Sequence, residues 1–331
     1  MTYHYVSCDW GTTHFRLRWV EGSSGRLAAA VQSDQGVGRL AAETQPADRP
    51  ERCRSVLIAA LGRLGEESGV DLGSAPIAIS GMASSTIGWR ELPYAQTPWR
   101  VDGLDLITQN LPPIETAAGS HPVVLISGAR TASDVLRGEE TQMVGLFSLP
   151  QAASFVDRST VILPGTHSKH LHVEHGRVVD FQTFMTGELF DTLSRQTILR
   201  HSVGDELAMA DRLSNDATSA MRAGVRDSCA LPFSAALFRV RTRQVLDGQP
   251  LAANRAYLSG LILGNELSYL TAHDLADVPL ILAAGADLSP AYQAAMDELK
   301  LGSRLTLIVP QDVERLSALG QGTVLRRLKL V

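Results

Sequence analysis

Two loops decide the fold of this chain: Cys8-Asp9-Trp10-Gly11-Thr12-Thr13 near the start, and Leu163-Pro164-Gly165-Thr166-His167-Ser168-Lys169 farther along. Each follows a short apolar strand and leads into an alternating strand, a glycine-containing turn and another strand. These three segments are 15–20, 22–25 and 26–31 in the first copy, and 170–173, 174–177 and 178–181 in the second. One glycine-threonine hairpin is commonplace, but two with the same flanking order indicate a duplication. The sequence therefore predicts two related α/β domains that face each other.

The remaining periodicity places strands and helices around both copies. Apolar runs that end in Ser-Gly, 77–81 and 123–128, predict buried strands of a partly parallel sheet. Further helices are expected at 51–67, 134–147, 187–199, 233–246, 254–272, 290–299 and 312–319, and strands at 280–285 and 305–309. Turn residues at 149–150 and 157–159 mark a boundary. We expect an N-terminal domain of residues 1–150 and a C-terminal domain of residues 151–331, with the last helix as a candidate to return to the first.

Composition excludes several classes of protein. The chain has 331 residues, 44% of them hydrophobic, and a formal net charge of −5 without long blocks of one sign, so no basic surface for nucleic acid is expected. Cys8, Cys53 and Cys229 are too scattered for a disulfide framework or a zinc site. No apolar run is long enough for a membrane span, and the N-terminus lacks the pattern of a signal peptide. We expect a soluble, cytoplasmic protein.

The two loops carry the chemistry. A glycine followed by small hydroxyl residues at a strand end exposes backbone N–H groups and hydroxyls that bind phosphate oxygens; the alternative is an ordinary turn. Asp9 stands just before the first glycine, where it would hold Mg²⁺ beside the phosphates or would instead cap the turn.

The same loops resemble the two phosphate motifs of the actin, Hsp70 and sugar-kinase superfamily. Four further segments, taken in order, resemble the 2-dehydro-3-deoxygalactonokinase family: 81–94 (GMASSTIGWRELPY), 134–142 (DVLRGEETQ), 167–169 (HSK) and 183–190 (TFMTGELF). The similarity extends over most of the chain. Two positions depart from the family pattern, since His14 stands where Asn is usual and His170 where Trp is commoner.

The resemblance implies two ribonuclease-H-like domains with a nucleotide cleft between them. It also implies ATP and Mg²⁺ as cofactors, and phosphorylation of the 6-hydroxyl of 2-keto-3-deoxy-galactonate in galactonate degradation. The N-terminal domain would hold the first phosphate loop and the acceptor sugar, and the C-terminal domain the second loop and the adenosine. The implied nucleotide-binding residues are Asp9, Gly11, Thr12, Thr13, Gly165, Thr166, His167, Ser168, Gly260, Gly264 and Gly285, and the implied substrate-binding residues are Gly81, Met82, Ser84, Ser85, Trp89, Arg90 and Tyr94.

Several of these residues have simpler interpretations. Trp89 would offer a face to the sugar carbons and Arg90 a cation to its carboxylate, but Trp89 also fits a core position and Arg90 a surface charge. Gly260 and Gly264 lie about one helical turn apart, as in close helix packing. Lys169 would neutralise charge on the transferred phosphoryl group or would be a surface lysine. The histidines of the second hairpin lack accompanying metal ligands, so a metal cluster is not expected.

A catalytic base is the last candidate. Asp134 would stand at the start of the 134–147 helix, where Thr131 to Asp134 has the spacing of a capping box, and would accept the proton of the attacking hydroxyl. It would otherwise only satisfy the helix dipole. Glu139 and Glu140 are rivals, and the Arg137-Gly-Glu-Glu segment resembles the acidic motif of related polyphosphatases.

Three functions remain open. A sugar-acid kinase, with a homodimer as its candidate assembly, is favoured over a phosphohydrolase of the same superfamily that would transfer to water, and over a non-catalytic sugar sensor. Segment 81–94, which we call the acceptor segment because it would bind the acceptor sugar, argues against the hydrolase. The lack of an added DNA-binding module argues against the sensor.

Overall fold

The computed structural model describes residues 3–22, 24–117, 119–204, 215–271 and 275–331. Its strands are β1 His4–Trp10, β2 Phe15–Glu21, β3 Arg26–Ser33, β4 Ile77–Gly81, β5 Ala95–Gln96, β6 Trp99–Arg100, β7 Thr108–Thr116, β8 Gly119–Ile126, β9 Ala129–Arg130, β10 Val135–Leu136, β11 Arg158–Leu163, β12 Ser168–Glu174, β13 Arg177–Phe184, β14 Leu280–Leu282 and β15 Leu305–Leu307.

The α-helices are α1 Val37–Glu43, α2 Arg49–Ser68, α3 Glu139–Phe147, α4 Thr186–Gln196, α5 Arg200–Val203, α6 Asn215–Ala230, α7 Phe233–Asp247, α8 Leu251–Leu267, α9 Ser289–Glu298 and α10 Pro310–Arg327. Short 3-10 turns lie at Met82–Ser84, Pro150–Phe155, Ser268–Thr271 and Gly302–Arg304. Within the described part of the chain, no helix combines the length and the apolar character that a membrane crossing needs.

Two sheets repeat one strand order. The first sheet has the order β3-β2-β1-β4-β8-β7, with β1 antiparallel to β2 and parallel to β4, and β4 parallel to β8. The second contains the order β13-β12-β11-β14-β15, with β14 parallel to both β11 and β15. Numbered within each copy, and with the additional edge strands β7 and β6 left out, both sheets read 3-2-1-4-5. The predicted fold class, two ribonuclease-H-like α/β sheets, is confirmed, and so is the duplication that the two loops predicted.

Burial explains why these segments are strands. β2 alternates, with Phe15, Leu17 and Trp19 buried, Arg16 exposed and Arg18 partly buried on the other face, as expected from the two-residue period of a strand. All five residues of β4 are buried, because parallel neighbours and helices cover a central strand on both faces.

The chain divides into two compact units. Unit 1 comprises Met1–Asp157, Val173–Phe181 and Gln311–Val331, and unit 2 comprises Arg158–His172 and Gln182–Pro310. Helix α10 therefore belongs to unit 1, where the Gln321 side-chain amide donates to the Cys8 carbonyl and to Ser80 Oγ, both at 2.8 Å.

Most predicted elements are present, with shifted ends. The predicted helix 254–272 is α8, which begins at Leu251 and ends at Leu267; a 3-10 turn follows, and Ala272 lies outside the described residues. The predicted strand 123–128 ends earlier, at Ile126. Helix α6 was not predicted, because its buried face consists largely of small residues such as Ala217, Ala220 and Gly224 rather than an apolar stripe of large ones.

The predicted helix 134–147 is wrong at its start. Residues Val135–Leu136 form strand β10, and the helix begins only at Glu139, after Gly138 in a conformation with φ of 107°. Glycine tolerates this positive φ without strain, so the chain turns there. Asp134 is therefore not a helix-start residue.

Candidate functional site

Hydrogen bonds from neighbouring backbone groups hold the first loop of unit 1 in place. The Gly11 N–H donates to the His14 carbonyl, and the Gly11 and Thr12 carbonyls accept the N–H groups of Val37 and Gly38, each at 2.9 Å. A side chain at Gly36 would come within 2.3 Å of the Thr12 carbonyl oxygen, so only glycine allows this approach. The side chains of Thr12, Thr13 and His14 are exposed. The loop thus combines a fixed backbone with hydroxyls that a ligand can reach.

Asp9 lies on β1, two residues before Gly11. It is paired in register with Ser80 of β4, and its carboxylate is 3.3 Å from the exposed Arg16 guanidinium. The side chain keeps 22% of its surface exposed, so water or a ligand reaches it. Among the described residues no group of three or more His, Cys, Asp or Glu side chains comes together as a metal site. A single carboxylate with phosphate oxygens and waters fits Mg²⁺, which retains several waters when it binds proteins.

Two glycines bring the ends of β1, β4 and α3 together. Gly81 has φ of 92°, and a Cβ there would lie 2.7 Å from the Trp10 carbonyl oxygen. A Cβ on Gly138 would lie 3.6 Å from the Cα of Gly81. The beginning of α3 is therefore held against the strand end that precedes the acceptor segment 81–94.

Glu140, in the first turn of α3, is a buried carboxyl group in this place. One oxygen, Oε2, accepts the Gly138 N–H at 2.7 Å. The other, Oε1, is buried without a hydrogen-bond partner, and it is the only carboxylate oxygen among the described residues in that condition. Burial, and then the neighbouring Glu139 carboxylate, raises the pKa of Glu140 to about 8.

Asp134 has a different environment from the one predicted. Its N–H donates to Thr131 Oγ1 at 2.9 Å, and its carboxylate accepts the N–H of Val135 at 2.7 Å. The Thr131 to Asp134 spacing thus forms a local side-chain turn and not a capping box, because the first helical residue is Glu139.

The acceptor segment is folded tightly on itself. Ser84 Oγ and Ser85 Oγ donate to the carbonyls of Gly81 and Met82, at 3.2 and 2.7 Å. Trp89 is buried and packs edge-on against Trp10 with ring centroids 6.2 Å apart, so its core interpretation describes its position. Arg90 is exposed.

Arg137 makes several contacts with the acceptor segment, and this role was not predicted from the sequence. Its guanidinium donates to the Ser84 carbonyl and hydroxyl at 2.6 and 2.8 Å, to the Leu92 carbonyl at 3.3 Å and to the Tyr94 hydroxyl at 3.1 Å. It also lies 4.0 Å from the centre of the Tyr94 ring. Arg137 therefore binds the segment to the residues just before α3. An arginine within a Gly-Glu-Glu motif was the only available signal.

The second loop, in unit 2, is docked on the start of α4. A Cβ on Gly187 would lie 2.7 Å from the Gly165 carbonyl oxygen, and the Glu188 N–H donates to the Thr166 carbonyl at 3.1 Å. The side chains of His167 and Glu188 form an ion pair or hydrogen bond above this junction. A glycine-rich loop beside a helix start is a suitable place for phosphate, because both present backbone N–H groups.

Lys169 follows this loop on β12. It is 4% exposed, and its ammonium group donates to the His167 carbonyl at 3.3 Å. The surface interpretation of Lys169 is therefore wrong.

A cavity of about 360 Å³ opens beside the second loop in unit 2. Its lining includes Gly165 of the second loop, Thr186 and Gly187 at the start of α4, and Tyr292 of α9, together with the apolar residues Met221, Ile262, Leu263, Leu288 and Ala291. The volume is within the usual range for small-molecule sites.

The three glycines predicted around the adenosine have different positions. Gly260 and Gly264 face α6, since a Cβ on them would lie 2.0 Å from the Met221 carbonyl oxygen and 2.9 Å from Val225 Cα. Close helix packing explains both, and neither is among the residues that line the cavity. Gly285 begins the turn into α9, where its carbonyl accepts the N–H groups of Leu288 and Ser289 at 3.1 and 3.0 Å.

Comparisons with known proteins agree over nearly the whole chain. A family model described as 2-keto-3-deoxy-galactonokinase matches residues 9–314. The chain is 34% identical over 303 residues to a protein of Rhizobium meliloti (strain 1021) named "Probable 2-dehydro-3-deoxygalactonokinase", with 91% of each chain covered. It is 29% identical over 304 residues to the 2-dehydro-3-deoxygalactonokinase of Escherichia coli (strain K12), with 90% of this chain and 91% of that one covered.

A solved structure gives the same result. The crystal structure of a Sinorhizobium meliloti protein described as a 2-dehydro-3-deoxygalactonokinase has a TM-score of 0.76 and 29% identity, and covers 98% of this chain and 99% of that one. The match therefore extends over nearly the whole of both chains.

Proposed function

This chain belongs to the 2-keto-3-deoxy-galactonokinase family, and we propose that it transfers the γ-phosphoryl group of ATP to the 6-hydroxyl of 2-dehydro-3-deoxy-D-galactonate. It is an ATP-using phosphotransferase with an alcohol group as acceptor. The observation that supports the assignment of residues is the cavity of unit 2, because Gly165 of the second loop and Gly187 at the start of α4 both line it.

The adenosine of ATP occupies the apolar part of this cavity in our proposal. Its phosphates lie toward Gly165 and Gly187, where the loop and the start of α4 offer backbone N–H groups. Lys169, directly after the loop, stabilises the charge that spreads over the transferred phosphoryl group.

Asp9 is the proposed ligand for Mg²⁺. Its carboxylate is partly exposed beside the first loop, whose Thr12 and Thr13 hydroxyls are also exposed. The bound ion would neutralise negative charge on the phosphates during transfer.

The acceptor segment binds the sugar acid. Arg137 holds the segment in shape through its contacts with Ser84, Leu92 and Tyr94, and the exposed Arg90 is available to the substrate carboxylate. The carboxylate–guanidinium pair gives the site its preference for acids.

Glu140 is the proposed base. In its ionised form, which predominates above its pKa of about 8, Glu140 accepts the hydroxyl proton at Oε1, the oxygen without a partner, as the new O–P bond forms and the bond between the β- and γ-phosphates of ATP breaks, leaving ADP. Asp134 is the weaker candidate, because its carboxylate already accepts the Val135 N–H.

The test of this function is ADP release measured with and without 2-dehydro-3-deoxy-D-galactonate, with the product position read by phosphorus NMR. We expect release only with the acceptor and a phosphate on the 6-oxygen. Equal release in buffer alone would favour the phosphohydrolase alternative. The cytoplasmic location and the homodimer stay predictions, which cell fractionation and light scattering would check.

A further inference from the structure

A buried polar cluster borders the cavity in unit 2. We call it the Glu266 cluster; its members are Ser168, His170, Thr186, Glu266 and Tyr292. Glu266 is 1% exposed, and both of its oxygens accept hydrogen bonds. His170 Nε2 donates to Oε1 at 2.8 Å, and Thr186 Oγ1 donates to Oε2.

Tyr292 completes the cluster. Its hydroxyl is 3.2 and 3.0 Å from the two Glu266 oxygens and 2.8 Å from Ser168 Oγ. Burial, and then Glu266, raises the pKa of Tyr292 well above its usual range, so the hydroxyl keeps its proton. Since that proton goes to the carboxylate, Ser168 donates to Tyr292.

These contacts join four separate elements. Ser168 and His170 lie on β12, directly after the second loop, Thr186 is the first residue of α4, Glu266 is on α8 and Tyr292 is on α9. Thr186 and Tyr292 also line the cavity. One carboxylate therefore links the loop side of the cavity to two of its walls.

Stability alone does not account for this arrangement. A buried carboxylate loses its hydration, and apolar residues of similar volume often stabilise a core as well or better. Burial of Glu266 therefore costs free energy of folding. The cluster lies where β12, which follows the second loop, meets α4 and α9.

We propose that Glu266 is a positioning residue for the nucleotide, which holds Thr186 of α4 and Tyr292 of α9 at a fixed spacing from the second loop. This inference rests on the proposed function, in which the cavity holds the adenosine. Loss of the carboxylate loosens the walls around ATP and leaves the acceptor segment of unit 1 unchanged.

The test compares two tyrosines. Tyr257 and Tyr292 are both buried in unit 2 and both donate to a carboxylate, but Tyr257 donates to Asp227 and does not line the cavity. We expect Tyr292→Phe and Glu266→Gln each to weaken binding of a non-hydrolysable ATP analogue about tenfold, the usual effect of one lost hydrogen bond. The KM for the sugar acid should stay within about twofold. Tyr257→Phe should lower the melting temperature without changing analogue binding.

The outcomes separate the two proposals. Wild-type analogue affinity in both Tyr292→Phe and Glu266→Gln, with only lower melting temperatures, would reduce the cluster to a structural role and overturn the inference. If Glu266→Gln does not fold, Tyr292→Phe and Thr186→Val decide by the same binding measurement. Wild-type protein that binds the analogue but does not phosphorylate the sugar acid would contradict the proposed function and leave the inference standing.

Discussion

The Gly138 N–H donates to Glu140 Oε2 at 2.7 Å and leaves Glu140 Oε1 buried without a partner. Gly138 itself lies against Gly81, at the entrance to the acceptor segment. The carboxyl group is thus held by one oxygen while the other stays available for a proton.

Glu140→Gln should lower turnover by about two orders of magnitude or more, because general-base help contributes at least this much. Asp134→Asn is the matched control and should retain turnover within about threefold, since its carboxylate serves a local turn. Both are measured at saturating ATP. An active Glu140→Gln beside an inactive, folded Asp134→Asn would return the role to Asp134.

Stability should also depend on pH through Glu140. Its pKa rises from the ordinary 4.5 to about 8 on folding, so above pH 4.5 the unfolded chain loses a proton that the folded protein keeps. The contribution is complete below about pH 4.5, falls as the pH rises toward 8, and amounts to on the order of 4 kcal/mol. Urea unfolding at several pH values should show a smaller decline for Glu140→Gln. Parallel curves for the two proteins would contradict this.

Lys169→Met should reduce turnover roughly a hundredfold, because a well-placed group that stabilises the transition state contributes on the order of 3 kcal/mol. Lys300→Met, at an exposed lysine, serves as the control. Steady-state kinetics at saturating substrates makes the comparison. Unchanged turnover in Lys169→Met would refute the assignment.

Ser259→Trp should abolish nucleotide binding. Ser259 lines the cavity of unit 2 and is only partly buried, so an indole there would fill space that the adenosine needs. Calorimetry with a non-hydrolysable ATP analogue measures the loss, and Thr242→Trp, at a partly buried position of α7 that does not line the cavity, controls for the added bulk. Equal affinity in the two variants would mean that the nucleotide binds elsewhere.

Arg137→Lys should raise the KM for the sugar acid about tenfold with the KM for ATP unchanged, because lysine keeps the charge but loses the planar set of donors. Four of the contacts now made by the guanidinium, with Ser84, Leu92 and Tyr94, depend on that geometry. The two KM values are measured separately. A rise for ATP alone would place the effect outside the acceptor segment.

The duplicated fold could be predicted because its signals are local: each copy contains a Gly-Thr loop, a turn glycine and alternating or apolar strands. The position of Asp134 in the fold could not be predicted correctly, since a threonine three residues before an acidic residue has the same spacing in a turn as at a helix start. The stronger sequence signal for a turn before the helix was Gly138, which adopts a positive φ in the structure.

The Glu266 cluster could not be predicted from the sequence either, for a different reason. His170 and Glu266 are 96 positions apart, and only tertiary packing brings them together. The only charged side chain in the largely apolar 258–267 stretch was the one hint.

The contacts of helix α10 also affect the order in which the two units can complete their folding during synthesis. Gln321 reaches the Cys8 carbonyl and Ser80, so the sheet that holds the first loop lacks these contacts until residue 321 has been made. Because domains fold as units while the ribosome adds residues in order, unit 2, whose segments end at Pro310, can assemble before unit 1 is complete. The sheet that holds the first loop is thus completed only after the segments of unit 2 have been made, and chains that stop before α10 would leave the Cys8 and Ser80 region without its cover.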